Sequence, residues 1–353
     1  MKTNNQSLAA FISPHGFGHA TRAAAVLEAV RQQQPEIELK LFTTVPPHIF
    51  AESLTTFTIN PVQTDVGIIQ HDALHCDVET TRRALDNFLP FAPSQIEELA
   101  GQVKDCRSVL CDISPLGIAV AEAAGVPSIL VENFTWDWIY EQHPSLERHR
   151  HQMAELFTRA HTHIQTEPVC RKVKTGIPCP PIFRRRRQNS EIIKKQLKTD
   201  HRQLVLISMG GIGYRLQHLE RLTGFPDILF VLAGSDTTGQ VTDNCYSLSP
   251  SSSLYHPDLI AAADLVVCKA GYSTVAECLQ SGTSILCIDR EGFAETSVLS
   301  EFVKTRLAGT VLSEKQLQDG EWLEMLPSLL AAPSPPPADQ NGAELVAGIL
   351  LQK

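Results

Sequence analysis

The segment His15-Gly16-Phe17-Gly18-His19 places two imidazoles straight after the apolar run Leu8-Ala9-Ala10-Phe11-Ile12. That run is short and bounded by Pro14 and Gly16, so it reads as a buried strand. The alanine-rich stretch from Ala20 reads as a helix. The turn between them lies at the carboxyl end of a strand, where open α/β sheets bind ligands. A neutral imidazole in such a turn can take a proton from a substrate hydroxyl. His15 has two readings: it shares that site, or it bonds backbone across the turn. Zinc held by the pair is not expected, because Pro14, Gly16 and Gly18 make a loop, and a two-histidine zinc site needs both rings on one helix face.

A second cluster lies in "ADLVVCKAGYSTVAECLQSGTSILCIDREGFAE", residues 263–295. A strand ends at Cys268, Gly271 allows a tight turn, and Ser273 and Thr274 stand where they would cap the next helix. The exposed N–H groups of such a helix start form an anion site, aided by the helix dipole. Glu277 is either a capping-box acid bonded to the backbone at the helix start or a buried acid that accepts both hydroxyls of a ribose. His256, just upstream, borders the base pocket in this reading. The aromatics of "NFTWDWIY" (133–140) read as core and cleft wall, with tryptophans able to pack on a sugar face. His143, His149, His151, His161 and His163 are scattered and read as surface residues.

The elements that must position these residues are strand–helix alternations. Glu38 to Thr44, Ser108 to Asp112 and Ser128 to Glu132 are strand-like, with a helix-like stretch from Leu116 to Ala124. Such repeats imply a parallel sheet with helices on both faces. The rhythm breaks from Pro168 to about Arg202, where prolines precede Arg184 to Arg187, and this run of four arginines reads as a solvated linker charge run. It restarts at Gln203-Leu204-Val205-Leu206-Ile207-Ser208, followed by three further apolar runs that each empty into a glycine-rich or polar turn. At 353 residues the chain is long enough for two such domains. The expected division is 1–170, a linker at 171–202, a second domain at 203–330, and a proline-rich tether with a terminal helix (Gly342 to Leu351, packed back on the first domain) at 331–353.

A formal charge of -9 argues against a nucleic-acid partner. No apolar run is long enough for a membrane span and the amino terminus is too short for a signal-peptide core. The nine cysteines contain no CxxC pair and read as reduced core residues of a cytoplasmic protein. Peripheral membrane contact and the oligomeric state are left open.

The motif "CKAGYSTVAECLQSG" resembles the donor-nucleotide motif of family 28-type glycosyltransferases of the GT-B fold. Those include the N-acetylglucosaminyltransferase that completes the lipid-linked peptidoglycan precursor. "PHGFGHATRA" resembles the glycine–histidine loop of the same superfamily. The resemblance is closest to the glycosyltransferase-like amino-terminal half of plant L-arabinokinases. It is carried by "HGFGHATR", "DVGIIQHDAL", "CDISPL", "VENFTWDWIY", "HPDLIAAADLVVCKAGYSTVAE" and "DREGFAE", over roughly residues 8–325. The phosphate loop of the kinase half has no counterpart, so kinase activity is not expected.

The resemblance implies an α/β GT-B fold: two Rossmann-like, doubly wound domains facing across a cleft, acceptor side first and nucleotide-sugar side second. It implies His19 as acceptor base, with Asp112 orienting it, and Gly16 and Gly18 in the acceptor loop. On the donor side it implies Gly271, Ser273 and Thr274 at the phosphates, Glu277 at the ribose, and Gly210, Gly211 and Gly213 as a diphosphate loop. Arg290 and Glu295 stand where the family contacts the donor sugar. The peptidoglycan-type enzymes carry glutamine and asparagine near there, which leaves the sugar open. The implied function is inverting, metal-independent transfer from a nucleotide sugar, with uridine diphosphate as the expected carrier, to an unknown hydroxyl acceptor, with no cofactor. The alternatives are a nucleotide-sugar 2-epimerase and a non-catalytic sugar-nucleotide sensor.

Overall fold

Each short apolar run forms a parallel strand whose carboxyl end opens into a polar turn. The computed structural model describes residues 6–71, 75–210, 217–234, 239–249, 252–290 and 292–352. The chain divides into two units. The first comprises Met1–Ile69, Cys76–Phe183 and Gln340–Lys353, and the second Gln70–His75 and Arg184–Asp339.

The first unit contains β1 (Ser7–Ile12), β2 (Glu38–Phe42), β3 (Thr58–Asn60), β4 (Val109–Asp112), β5 (Ser128–Glu132), β6 (Thr162–Thr166) and β7 (Ile177–Cys179). They form one parallel sheet in the order β3-β2-β1-β4-β5-β6-β7. Both faces are covered, so every residue of β1 is buried and the run shows no alternation. The strand order reverses between β1 and β4, where Ile12 pairs with Asp112. That register sets the carboxylate beside the histidine turn.

The first helix runs over Phe17–Gln33, starting three residues before the expected Ala20, with Gly16 as its N-cap at φ 74°. His19 therefore lies in the first helical turn and not in a loop. Ala20, Ala23 and Ala24 make a flat face, and Ala343, Val346, Ala347 and Leu350 of the terminal helix Gly342–Gln352 lie in the same core. Burying Val346 and Leu350 contributes about 1.5–3 kcal/mol each. Ser108 Oγ donates to the Leu350 carbonyl at 3.0 Å, satisfying one of the open acceptors at that helix end.

The second unit contains β8 (Gln203–Ser208), β9 (Ile228–Ala233), β10 (Gly239–Thr242), β11 (Cys245–Ser247), β12 (Leu265–Lys269), β13 (Ser284–Ile288) and β14 (Thr310–Leu312). The sheet order is β10-β11-β9-β8-β12-β13-β14, parallel except for the β10/β11 pair. Leu204 and Leu206 face one core, Val205 and Ile207 the other. The order reverses between β8 and β12, the second switch point.

The stretch read as a linker is shared between the units. Ile177–Cys179 adds the edge strand of the first sheet, and Ser190–Gln196 is a helix whose Ile193 is buried with Leu259 and Ile260 in the second core. Proline-rich composition hid a few apolar anchors, Ile182, Phe183 and Ile193, all buried. The tether also lies against the second unit: the Ala338 N–H donates to the Leu279 carbonyl at 2.9 Å. All nine cysteines are free thiols and seven are buried. No helix among the described residues is long and apolar enough to cross a membrane.

Candidate functional site

The first cluster is built at the β1/β4 switch point. His19 Nδ1 lies 3.0 Å from Asp112 Oδ1. Arg22, one helical turn beyond His19, makes a two-pronged contact to the same carboxylate: Nε donates to Oδ2 at 2.9 Å and Nη2 to Oδ1 at 2.7 Å. Its Nη1 donates to Asn133 Oδ1 at 2.7 Å. Arg22 and Asp112 are each 1% exposed. Burial alone would raise the Asp112 carboxyl, but the Arg22 guanidinium, with a bond from His19, holds it below the usual carboxylate range. An ionised carboxylate only accepts, so its contact with His19 at 3.0 Å is attractive when Nδ1 carries the hydrogen. This shorter contact outweighs the one from Arg22 Nη2, which lies 3.2 Å from the same nitrogen and favours the other tautomer. The Nδ1–H tautomer leaves a lone pair on Nε2, which has no hydrogen-bond partner among the described residues.

His15 is arranged differently. Its Nε2 donates to the Ile68 carbonyl at 2.8 Å, and its ring lies edge-on to Trp136 at 5.0 Å. Of its two sequence readings, backbone bonding is the contact present, and Nε2 is thereby occupied. Gly67, at φ +64°, packs on the ring so closely that a Cβ would fall 2.6 Å from His15 Cδ2. Gly16 is needed at its positive φ, whereas Gly18 lies inside the first helical turn. Trp136 is fully buried, and its Nε1 donates to Asp65 Oδ2 at 2.9 Å.

The second cluster surrounds the β8/β12 switch point. The helix Tyr272–Ser281 follows β12, with Gly271 as N-cap and no side-chain cap. Ser273 and Thr274 are thus inside the first turn rather than capping it, because Gly271 already takes the extended cap conformation. Glu277 is 1% exposed and does not bond the helix start. Its Oε1 accepts from Arg184 Nε at 2.9 Å, and its Oε2 lies 3.0 Å from His256 Nδ1. His256 Nε2 in turn meets Ser208 Oγ at 3.1 Å. Burial would raise the Glu277 carboxyl, yet Arg184 and His256 together hold it below its ordinary value.

The reading of Arg184 to Arg187 as a solvated run is corrected at its first member. Arg184 is 4% exposed, paired with Glu277, and lies over the Tyr255 ring at 5.2 Å. A guanidinium tolerates such burial because a carboxylate neutralises it. Arg185, Arg186 and Arg187 are exposed.

Around the ends of β8, β12 and β13 lie Gly210, Lys269, Arg290 and Glu295. Gly210 sits at φ +75°, and a Cβ there would fall 3.0 Å from Lys269 Cε. Arg290 Nη2 is 3.7 Å from Glu295 Oε2, and its guanidinium lies 4.3 Å from the Phe293 ring centroid. Burial first, then the Arg290 charge, lowers Lys269 to about 8, against the pull of Glu295. Gly211 and Gly213 lie outside the described residues.

Sequence reasoning missed Arg22, Arg184, Lys269 and Asp65. Arg22 carries a usable signal, since three residues after His19 on a helix is the same face. Lys269 stands inside the quoted donor motif. His149 was also misread as surface: it is 3% exposed, with Nε2 at 3.0 Å from Asp86 Oδ1.

Residues 240–340 match the family model described as the glycosyltransferase family 28 C-terminal domain. L-arabinokinase of Arabidopsis thaliana is 26% identical over 358 aligned residues, which cover 96% of this chain. The chain spans about a third of that relative, 34% of its length. Among solved structures, MurG of Acinetobacter baumannii aligns with a TM-score of 0.60 at 14% identity, covering 98% of this chain and 99% of that one. LpCGTa, solved in complex with UDP, aligns with a TM-score of 0.56 at 13% identity, covering 98% and 93%. The two seven-stranded α/β sheets are those of the GT-B fold of these glycosyltransferase structures, and the similarity to the family 28 C-terminal domain spans residues 240–340.

Proposed function

We propose that this chain transfers a sugar from a uridine diphosphate sugar to an acceptor hydroxyl, with inversion, and with His19 as the base. One observation carries the reading: His19 Nδ1 is engaged by an ionised, buried Asp112 while Nε2 is left without a partner among the described residues. A base held in that tautomer accepts the acceptor proton at Nε2 as the acceptor oxygen attacks the anomeric carbon, whose bond to the diphosphate breaks. The diphosphate leaves with the bonding electron pair. We assign it to the uncapped helix start at Gly271, Ser273 and Thr274, beside Lys269 and Gly210. N–H dipoles and cations there would bear charge that a metal bears in other transferases.

Glu277 fits a ribose contact because each of its oxygens, though engaged, retains acceptor capacity. Arg290 and Glu295 are assigned to the sugar. The bound UDP of LpCGTa and the family 28 match support a uridine nucleotide.

The test pairs turnover with binding. Release of UDP is measured over a panel of UDP-hexoses and UDP-pentoses, with and without simple alcohol acceptors, and UDP affinity is measured by calorimetry. His19→Ala should lower turnover by about 10²–10⁴ and leave UDP affinity unchanged. Wild-type turnover in that variant would remove His19 from the chemistry, and the sensor alternative would then account better for the domain.

A further inference from the structure

Residues 64–69 pass the carboxyl ends of β1 and β4 without regular structure, and hydrogen bonds along their length pin them. Thr64 Oγ1 donates to the Ile12 carbonyl at 2.7 Å, and Ser114 Oγ to the Thr64 carbonyl at 3.2 Å. The Tyr140 hydroxyl donates to the Gly67 carbonyl at 2.9 Å, His15 Nε2 to that of Ile68 at 2.8 Å, and the Ile69 N–H to Thr81 Oγ1 at 2.9 Å. Between these anchors the segment carries Asp65 into the interior, 0% exposed. Its Oδ2 accepts from Trp136 Nε1, whose ring lies 6.2 Å from that of His19. Its Oδ1 has no partner within hydrogen-bond geometry among the described residues, although the nearby Ser13 side chain also favours the ionised carboxyl. A buried carboxylate oxygen left so poorly bonded is costly, so its retention calls for a compensating role.

The charges of the neighbouring cluster supply one. Arg22 and Asp112 cancel each other in their paired contact. If His19 takes a proton, its imidazolium faces a carboxylate that is already neutralised, with Arg22 Nη2 only 3.2 Å from Nδ1. Two cations would then share one anion inside a buried site. With Asp65 ionised, the group of four carries one net negative charge before that proton arrives and none afterwards. We infer that Asp65 is the counter-ion of the His19 imidazolium, a positioning residue that acts on the base through its charge and touches no substrate. The inference rests on the reading of His19 as base.

The electrostatics agree with that role. Burial pushes the Asp65 carboxyl up to about 6, against Trp136, Ser13 and His19, while Arg22 holds Asp112 low. Two carboxyls driven apart in this way take different parts in proton chemistry. The groups facing Asp65 are Trp136 and Tyr140 on the helix Trp136–Tyr140, Ser13 just after β1, His19 on the first helix, and Asp112 at the end of β4. Tyr140 stays a neutral donor, since burial and then Asp65 push its hydroxyl well above its usual range.

The experiment is an NMR pH titration of the His19 ring in the full chain, with no donor or acceptor added, beside nucleotide release from the UDP-sugar panel. In Asp65→Asn the midpoint of the His19 titration should move to lower pH by about one unit, tenfold in proton affinity. Trp136→Phe removes the donor that favours ionised Asp65 and should move it the same way by less. An unmoved midpoint in a folded Asp65→Asn protein overturns the counter-ion role. Should Asp65→Asn fail to fold, an unmoved midpoint in Trp136→Phe overturns it equally. A midpoint that falls while UDP release stays at the wild-type rate upholds the counter-ion and overturns His19 as base.

Discussion

Replacing Arg184 with methionine tests how the second cluster is held. The variant keeps an apolar stem of similar length and strands the Glu277 carboxylate, which is 1% exposed. Breaking a buried ion pair typically costs about 3–5 kcal/mol. Here a ceiling applies, because a stranded Glu277 can take up a proton. From its ordinary value of 4.5, that escape costs about 3.4 kcal/mol at pH 7 and about 0.7 kcal/mol at pH 5. His256 still faces Oε2 at 3.0 Å, so the expected loss is about 2–3 kcal/mol at pH 7. In the wild type Glu277 is held below its ordinary value, so its stabilisation is present above that value and lost as pH falls through the folded one. In the variant the sign reverses: the penalty is full at pH 7 and shrinks toward pH 5. Hydrogen exchange of β8 and β12 amides reads this unit alone. Arg184→Met combined with Glu277→Gln should recover most of the loss at pH 7. A loss equal at both pH values, or a double variant as unstable as the single, would refute the argument.

Lys269→Met should weaken UDP binding about tenfold, about 1.4 kcal/mol by calorimetry. Because Lys269 is lowered to about 8, wild-type affinity should fall as pH rises from 7 to 9.5, while the variant shows no such fall; parallel profiles would take Lys269 out of the site. Gly67→Ala forces a Cβ to within 2.6 Å of His15 Cδ2 at φ +64°, and should cost about 1–3 kcal/mol in urea denaturation. An unchanged midpoint there would mean that residues 64–69 shift without penalty.

The fold class was legible because parallel strands buried on both faces appear as continuous apolar runs, as in β1 and β8, and their turns carry glycine. The same logic failed at 171–202, where three apolar anchors among prolines and arginines could not outweigh composition. His19, Asp112, Glu277 and His256 were visible as motif residues. The cations beside two of them were not. Arg22 looks like an ordinary helix residue and Arg184 like one of four surface arginines, because the sequence does not show which guanidinium has a buried carboxylate within reach. Asp65 was quoted inside "DVGIIQHDAL" without a role, since its meaning depends on Trp136, far along the chain.

Both units nonetheless use the same three groups at their switch points. In one, Arg22 holds Asp112 ionised and the carboxylate engages His19 Nδ1; in the other, Arg184 holds Glu277 ionised and the carboxylate engages His256 Nδ1. An arginine cannot lose its proton, so in each case it fixes the charge of the acid, and the ionised acid then favours a hydrogen on the histidine nitrogen it faces. What differs is the far nitrogen. His256 Nε2 meets Ser208 at 3.1 Å, which ties the trio into the sheet, whereas His19 Nε2 has no such partner among the described residues. Under the proposed function the same arrangement would serve two ends: anchoring a carboxylate on the nucleotide side, and holding an imidazole lone pair ready on the acceptor side. The serine at the end of β8 separates them, and no counterpart to it meets His19 among the described residues.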